Sequence, residues 1–303
     1  MLLSTRISRT RRLALGLLAA PAIVAAMSSL AHAGLIHRYS FATDASDSVG
    51  GSNGTLTGGA TVAGGQLTLA NGGKTSANGQ YLALSPSILP STGSATIESW
   101  FTFTGSGFFS EDWTFSNNAN DTAGPNSGFG QYMMHTISAP QPGTPPGGPN
   151  TGGSHVGQTL SGYGVETDAF ETTPGLGAGG GGYLDDGGTY MTATVIDGTA
   201  GTLSYYLYRV SDGVGGLQQS ITSIPLSSYA FTNAYLGRSA FAGDGATNGS
   251  VDEFRIYNNA QSASDVAADF AAGANAPIAA PEPASLALLA VGGLTLLNRR
   301  RRA

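Results

Sequence analysis

The stretch Gly249-Ser250-Val251-Asp252-Glu253-Phe254-Arg255-Ile256-Tyr257-Asn258 decides how this chain is read. It alternates as an extended strand does. Asp252, Phe254 and Ile256 share one face, and Val251, Glu253, Arg255 and Tyr257 share the other. Phe254 and Ile256 are predicted to face a core. Asp252 would then point inward at the strand's end, where an unpaired carboxylate is costly. A helix signal follows. Ser262 can cap it, Asp265 stands three residues later as a capping-box partner, and Gly273 stops it after Val266 and Phe270.

Working outward, short runs rich in Val, Ile, Thr, Tyr and Phe recur between turn residues. They fall at 35–41, 61–69, 80–84, 95–104, 128–137, 159–168, 189–197, 202–210 and 233–238, before the closing run at 250–258. Residues 139–157 carry Pro140, Pro142, Pro145, Pro146 and Pro149 and cannot be the interior of a strand or helix. Residues 175–188 are almost as rich in glycine. Both read as long surface loops. Many short strands, turn punctuation and one short C-terminal helix predict an all-β fold, an antiparallel jelly-roll β-sandwich.

Both ends carry a different pattern. Arg6, Arg9, Arg11 and Arg12 precede an apolar run from Leu13 to Ala26, and Ala31-His32-Ala33 is a small-x-small cleavage site. Residues 1–33 are therefore read as a signal peptide that engages the secretory translocon, with the mature chain starting at Gly34. At the other end Pro281-Glu282-Pro283 leads into an apolar run from Ala284 to Leu297, then Arg299, Arg300, Arg301 and Arg302. As a helix that run spans roughly 21 Å, short of the ~30 Å hydrocarbon core. The arginines would hold its end on the cytoplasmic side. Residues 281–303 resemble the PEP-CTERM sorting signal, which an exosortase recognises in the inner membrane. The resemblance implies a separate hydrophobic sorting helix, transient insertion in that membrane, and release to the cell surface or extracellular matrix. An ordinary single-pass anchor is the alternative.

Residues 34–280 make up 247 positions, enough to bury a core without staples. The chain has no cysteine, which excludes disulfides, thiol catalysis and thiolate metal sites. The net charge of −6 hides an asymmetry. Residues 34–280 keep only Arg38, Lys74, Arg209, Arg238 and Arg255 against 18 acidic residues, so 5 − 18 gives −13. Such a domain repels nucleic acid. It suits cations or neutral glycans, or its acidity serves solubility alone.

Three stretches resemble a laminin-G-like (concanavalin A-like lectin/glucanase) domain. They are Leu35-Ile36-His37-Arg38-Tyr39-Ser40-Phe41 with Asp47-Ser48-Val49-Gly50, then Ala95-Thr96-Ile97-Glu98-Ser99-Trp100-Phe101, and Tyr235-Leu236-Gly237-Arg238 with the closing strand. The resemblance implies a concanavalin A-like domain over 34–273 and a linker over 274–280. Two positions depart from the family pattern: Gln261 stands where leucine is usual, and the usual tryptophan is replaced near Tyr190. The family also implies a structural calcium ion, with Asp47 and Asp252 as candidate ligands and backbone carbonyls completing the shell. Hydrogen bonds from a turn are the other way to satisfy Asp252.

Glu166-Thr167-Asp168-Ala169-Phe170-Glu171 has the form E-x-D-x-x-E. It resembles the catalytic strand of family-16 glycoside hydrolases, with Glu166 as nucleophile, Asp168 as its neighbour and Glu171 as acid/base. Retaining chemistry needs carboxyls about 5–5.5 Å apart, and Glu171 reaches that face only through a bulge. A solvated strand edge or loop explains the same acids. Phe108, Phe109, Trp113 and Phe115 cluster among Gly, Asn and Asp. Trp113, Phe115, Asn117 and Asp121 are therefore glycan-contact candidates, core packing of the aromatics being the alternative. His37, His135 and His155 are not paired at metal-ligand spacing. The expected role is non-enzymatic: a lectin-like module for glycan binding or adhesion, with a polysaccharide or surface protein as ligand. A surface hydrolase or a purely structural matrix component are the other readings.

Overall fold

In a computed structural model the protein is described at residues 34–117, 130–138, 153–161, 166–173, 176 and 183–276. Ala31, Ala33, Asp121, Pro281, Glu282, Pro283 and Arg299 to Arg302 lie outside the described residues. Among the described residues no helix is long and apolar enough to cross a membrane.

The chain runs through β1 (Leu35–Tyr39), β2 (Thr55–Thr57), β3 (Thr61–Ala63), β4 (Gln66–Leu69) and β5 (Tyr81–Leu84). It continues through β6 (Ala95–Thr104), β7 (Ser110–Ser116), β8 (Tyr132–Ser138), β9 (His155–Thr159) and β10 (Thr167–Phe170). The last strands are β11 (Asp186–Asp197), β12 (Thr202–Arg209), β13 (Gly215–Thr222), β14 (Asn233–Leu236) and β15 (Gly249–Tyr257), followed by α1 (Ala263–Ala272). An eight-stranded sheet has the order β13-β12-β11-β6-β15-β4-β3, with β1 also paired to β15. A seven-stranded sheet has the order β10-β9-β8-β7-β14-β5-β2. The pairings are antiparallel, and the two sheets form the expected sandwich. Its core holds Phe101, Phe103, Trp113, Phe115, Leu236 and Phe254, each 1% exposed or less. Burying one such side chain contributes roughly 1.5–3 kcal/mol.

Several predicted runs resolve differently. The run 61–69 is a hairpin, because Gly64 and Gly65 take φ of 63° and 82° and close a two-residue turn between β3 and β4. The run 159–168 is not one strand: Thr159 ends β9 and Thr167 opens β10. Residues 155–157, read as loop, lie in β9, and 186–188 lie in β11. Strands β7 and β13 are not foreshadowed. β7 is flanked by Gly, Asn and Asp, and β13 is an edge strand opening on Gly215 and Gly216 at positive φ.

Strand β15 shows what the pattern could not reveal. Its pairing with β6 shifts register between Val251 and Glu253, a β-bulge at Asp252. The bulge lets Val251 join Phe254 and Ile256 in the core despite opposite parity. Asp252 does not point inward as expected. It bonds Gln66, which alternates with the core residue Leu67 and so lies on the outer face.

On that outer face Val266 of α1 packs with Trp100, Met191 and Tyr206. Ser262 caps the helix with the complete capping box, and Gly273 ends it at φ 84°. Beneath it Arg255 stacks over Trp100 at 4.4 Å and bridges Glu253 at 2.7 Å and Glu98 at 3.6 Å. Gln261 donates to Asp269 at 2.7 Å, so the polar residue at this usually apolar position ties the helix to the network. Arg38 bonds Glu253 and the Ala276 carbonyl, so the folded unit extends to Ala276, into the segment read as linker.

Candidate functional site

Of the candidate calcium ligands, Asp47 does not fit a cation. Asp47 Oδ1 accepts from the backbone N–H groups of Arg38, Val49 and Gly50 at 3.0–3.1 Å. Its Oδ2 accepts from Ser52 N–H at 3.0 Å and lies 2.6 Å from His37 Nδ1. Burial alone would raise this carboxyl, but the His37 ring and the Arg38, Gly50 and Ser52 amides hold it below its ordinary value. A carboxylate ringed by N–H donors is a turn-builder. Asp252 Oδ1 accepts from Gln66, its Oδ2 is shielded without a partner, and it shares no partner with Asp47. Among the described residues no three His, Asp or Glu side chains gather as a metal-binding group.

Glu171 is not brought beside the other two acids of the E-x-D-x-x-E segment. Glu166 precedes β10, and Asp168 and Phe170 alternate against the core residue Ala169. The β9–β10 register is unbroken through Phe170, so the bulge that would swing Glu171 beside Asp168 is missing. Glu171 instead acts electrostatically on Tyr190 and Tyr205, both in the core. Burial and the neighbouring Glu166 push Asp168 up to about 7, and burial pushes Glu171 up to about 8.

Trp113 and Phe115 are not surface contacts. Both are 1% exposed and point between the sheets, because they alternate with Thr114 on the opposite face. Asn117 is occupied as well, its Oδ1 accepting Gln131 N–H at 2.6 Å.

A second bulge organises β7. Glu111 pairs with Thr136 and Trp113 with His135, leaving Asp112 as the extra residue. Asp112 and Trp113 therefore both turn to the core, and Glu111 turns outward. In the core His135 Nδ1 lies 3.2 Å from Asp112 Oδ2, and Nε2 lies 2.8 Å from Ser154 Oγ and 3.0 Å from Tyr205 OH. Ser99 donates to Asp112 Oδ1 at 3.0 Å. The order Asp–His–Ser is that of a hydrolytic triad. Here Ser99, Asp112, His135, Ser154 and Tyr205 are all fully buried. They join strands of both sheets, so the network fixes one sheet against the other. No sequence spacing announces it.

The outer face of the seven-stranded sheet has a different character. Tyr235, Thr114, Met134, Gly157 and Asp168 stand directly opposite one another on successive strands. Thr114 Oγ1, Ser116 Oγ and Asp168 Oδ1 are shielded from water and make no hydrogen bond. Gly157 leaves room for Asp168, since a Cβ there would sit 2.9 Å from its Oδ1. Aromatic rings border the row. Tyr132 and Phe241 meet edge to face at 5.6 Å, in a cluster with Met134 and Ala240 separate from the main core. Arg238 lies over Tyr81 at 4.8 Å and over Tyr235 at 4.6 Å.

Residues 279–302 match the PEP-CTERM protein-sorting motif. The motif marks the chain for exosortase sorting, with export to the cell surface or extracellular space. No curated protein matches the chain in sequence. The structure is similar to domain 4 of AbnA, a GH43 extracellular arabinanase from Geobacillus stearothermophilus, solved with arabinotriose. Identity is 21%, the TM-score 0.48, and the match covers 78% of this chain and 98% of that one. It is similar to the binding domain of botulinum neurotoxin DC, solved with rat synaptotagmin II, at 12% identity and TM-score 0.47, covering 79% of this chain and 51% of that one. It is also similar to the Ruminococcus gnavus IT-sialidase CBM40 bound to alpha2,3 sialyllactose, at 13% identity and TM-score 0.39, covering 58% and 82%.

Proposed function

We propose that the outer face of the seven-stranded sheet binds a neutral glycan and that the exported domain holds polysaccharide at the surface or in the matrix. One observation carries this reading: Thr114, Ser116 and Asp168 hold unpartnered oxygens on one face beside the rings of Tyr132 and Phe241, and all of these but Asp168 are buried, so a glycan reaches them only by displacing what covers that face. An unpartnered buried polar group costs about 1–3 kcal/mol. Sugar hydroxyls would supply the missing bonds, and aromatic rings suit the apolar face of a pyranose or furanose. The net charge of −13 over residues 34–280 (5 − 18) disfavours polyanionic polysaccharides.

The test is retardation of the intact protein in native gels cast with neutral and acidic polysaccharides. Wild type should be retarded by a neutral glycan. Thr114→Val should weaken that retardation about fivefold, the equivalent of one hydrogen bond, and should leave the fold intact or slightly more stable. Equal retardation of the variant and wild type would place the ligand elsewhere.

A further inference from the structure

Glu111 sits on β7 beside the bulge at Asp112. It is fully buried, and neither carboxyl oxygen makes a hydrogen bond. The bulge at Asp112 turns it away from the core and under the Gly237–Asn248 connection between β14 and β15. That connection is anchored directly over it. Gly237 N–H donates to the Asp112 carbonyl at 2.8 Å, and Thr247 Oγ1 donates to the Glu111 carbonyl at 2.6 Å. The same connection brings Asp244 close, its backbone fixed by Ser76 N–H at 2.8 Å and its Oδ2 accepting from Ser239 Oγ at 2.6 Å.

Burial first, and Asp244 next, raises the Glu111 carboxyl. The hydroxyls of Thr136 and Ser239 draw it down, yet neither reaches hydrogen-bonding geometry with it. Burial pushes Asp244 up to about 7. A buried carboxyl with both oxygens unpartnered, beneath a connection that carries a second, partly buried carboxyl, keeps its proton or takes up a cation.

We propose that Glu111 and Asp244 form a site for a divalent, oxygen-preferring cation, with calcium the natural occupant outside the cell. The two free oxygens of Glu111, the carboxyl of Asp244 and the nearby hydroxyls are all hard oxygen donors, and His135, the adjacent imidazole, faces the core and is engaged there. That donor set suits calcium over zinc or copper. Two carboxylates completed by hydroxyls, carbonyls and water are enough for an extracellular module of modest affinity. The ion would lock the Gly237–Asn248 connection onto β7 and β8, beside the row that carries the proposed glycan contacts. The site does not depend on the glycan reading.

The experiment is thermal unfolding of the full-length protein in chelator and in about 10 mM calcium, with terbium titration read by energy transfer from Trp113. Wild type should melt about 3–10 °C higher with calcium and should sensitise terbium emission. Glu111→Gln should remain folded, should melt in chelator no lower than wild type, and should lose both responses. Asp244→Asn should weaken both. Asp252→Asn serves as the control and should keep both in full. Absence of a calcium shift in wild type would overturn the proposal. So would a shift that survives Glu111→Gln or disappears in Asp252→Asn.

Discussion

Asp47 shows how much one side chain organises. Five donors converge on its two oxygens and pin the Ser46–Ser52 turn against β1. Asp47→Ala would leave those donors facing a void, and we expect a loss of about 3 kcal/mol in urea unfolding of the intact chain. The pH dependence has a definite sign. The folded carboxyl lies below its ordinary value of 3.8, so its contribution is present above that value and lost as pH falls through the folded one. Wild type should therefore lose stability in acid more steeply than Asp47→Ala. The sequence put forward Asp47 and Asp252 as candidate calcium ligands. It could not show that N–H groups surround the first, or that a bulge turns the second away from the core.

At the level of elements, β15 and α1 act as one unit through Arg255. This single guanidinium lies among the carboxylates of Glu253, Glu98 and Asp269 and covers Trp100. Removing one partner of a buried ion pair costs about 3–5 kcal/mol, because the other charge is left behind without water. Arg255→Met should therefore destabilise the protein by that amount in denaturant titration and release α1 early to hydrogen exchange. A loss below about 1 kcal/mol would show that the network is solvated. The helix was readable from Ser262, Asp265 and Gly273 because capping is local chemistry. Strand β7 was not, because its inward and outward residues are sorted by a bulge whose position depends on the pairing with β8.

For the molecule as a whole, the number of raised carboxyls sets the response to pH. Asp168 and Asp244 are pushed up to about 7 and Glu171 to about 8, chiefly by burial. Glu98 and Glu111 also move upward for the same reason. Between the ordinary carboxyl range and these raised values the folded protein holds more protons than the unfolded chain, so stability falls as pH rises. In chelator, the melting temperature should drop steadily from about pH 5 to about pH 8. A flat or rising profile would mean that these groups are hydrated in solution.

The all-β class, the closing strand, the capped helix and the terminal sorting motif could be read directly from the chain. Each rests on alternation, capping or a contiguous motif, and so on neighbours in sequence. The outer-face row, the Asp112–His135–Ser154–Tyr205 network and the Glu111–Asp244 pair could not be read that way. Each joins residues that are not neighbours in sequence, and two of the three depend on the bulge at Asp112. A one-residue insertion in a strand reverses which side chains face the core, and only pairing with the neighbouring strand decides where it falls.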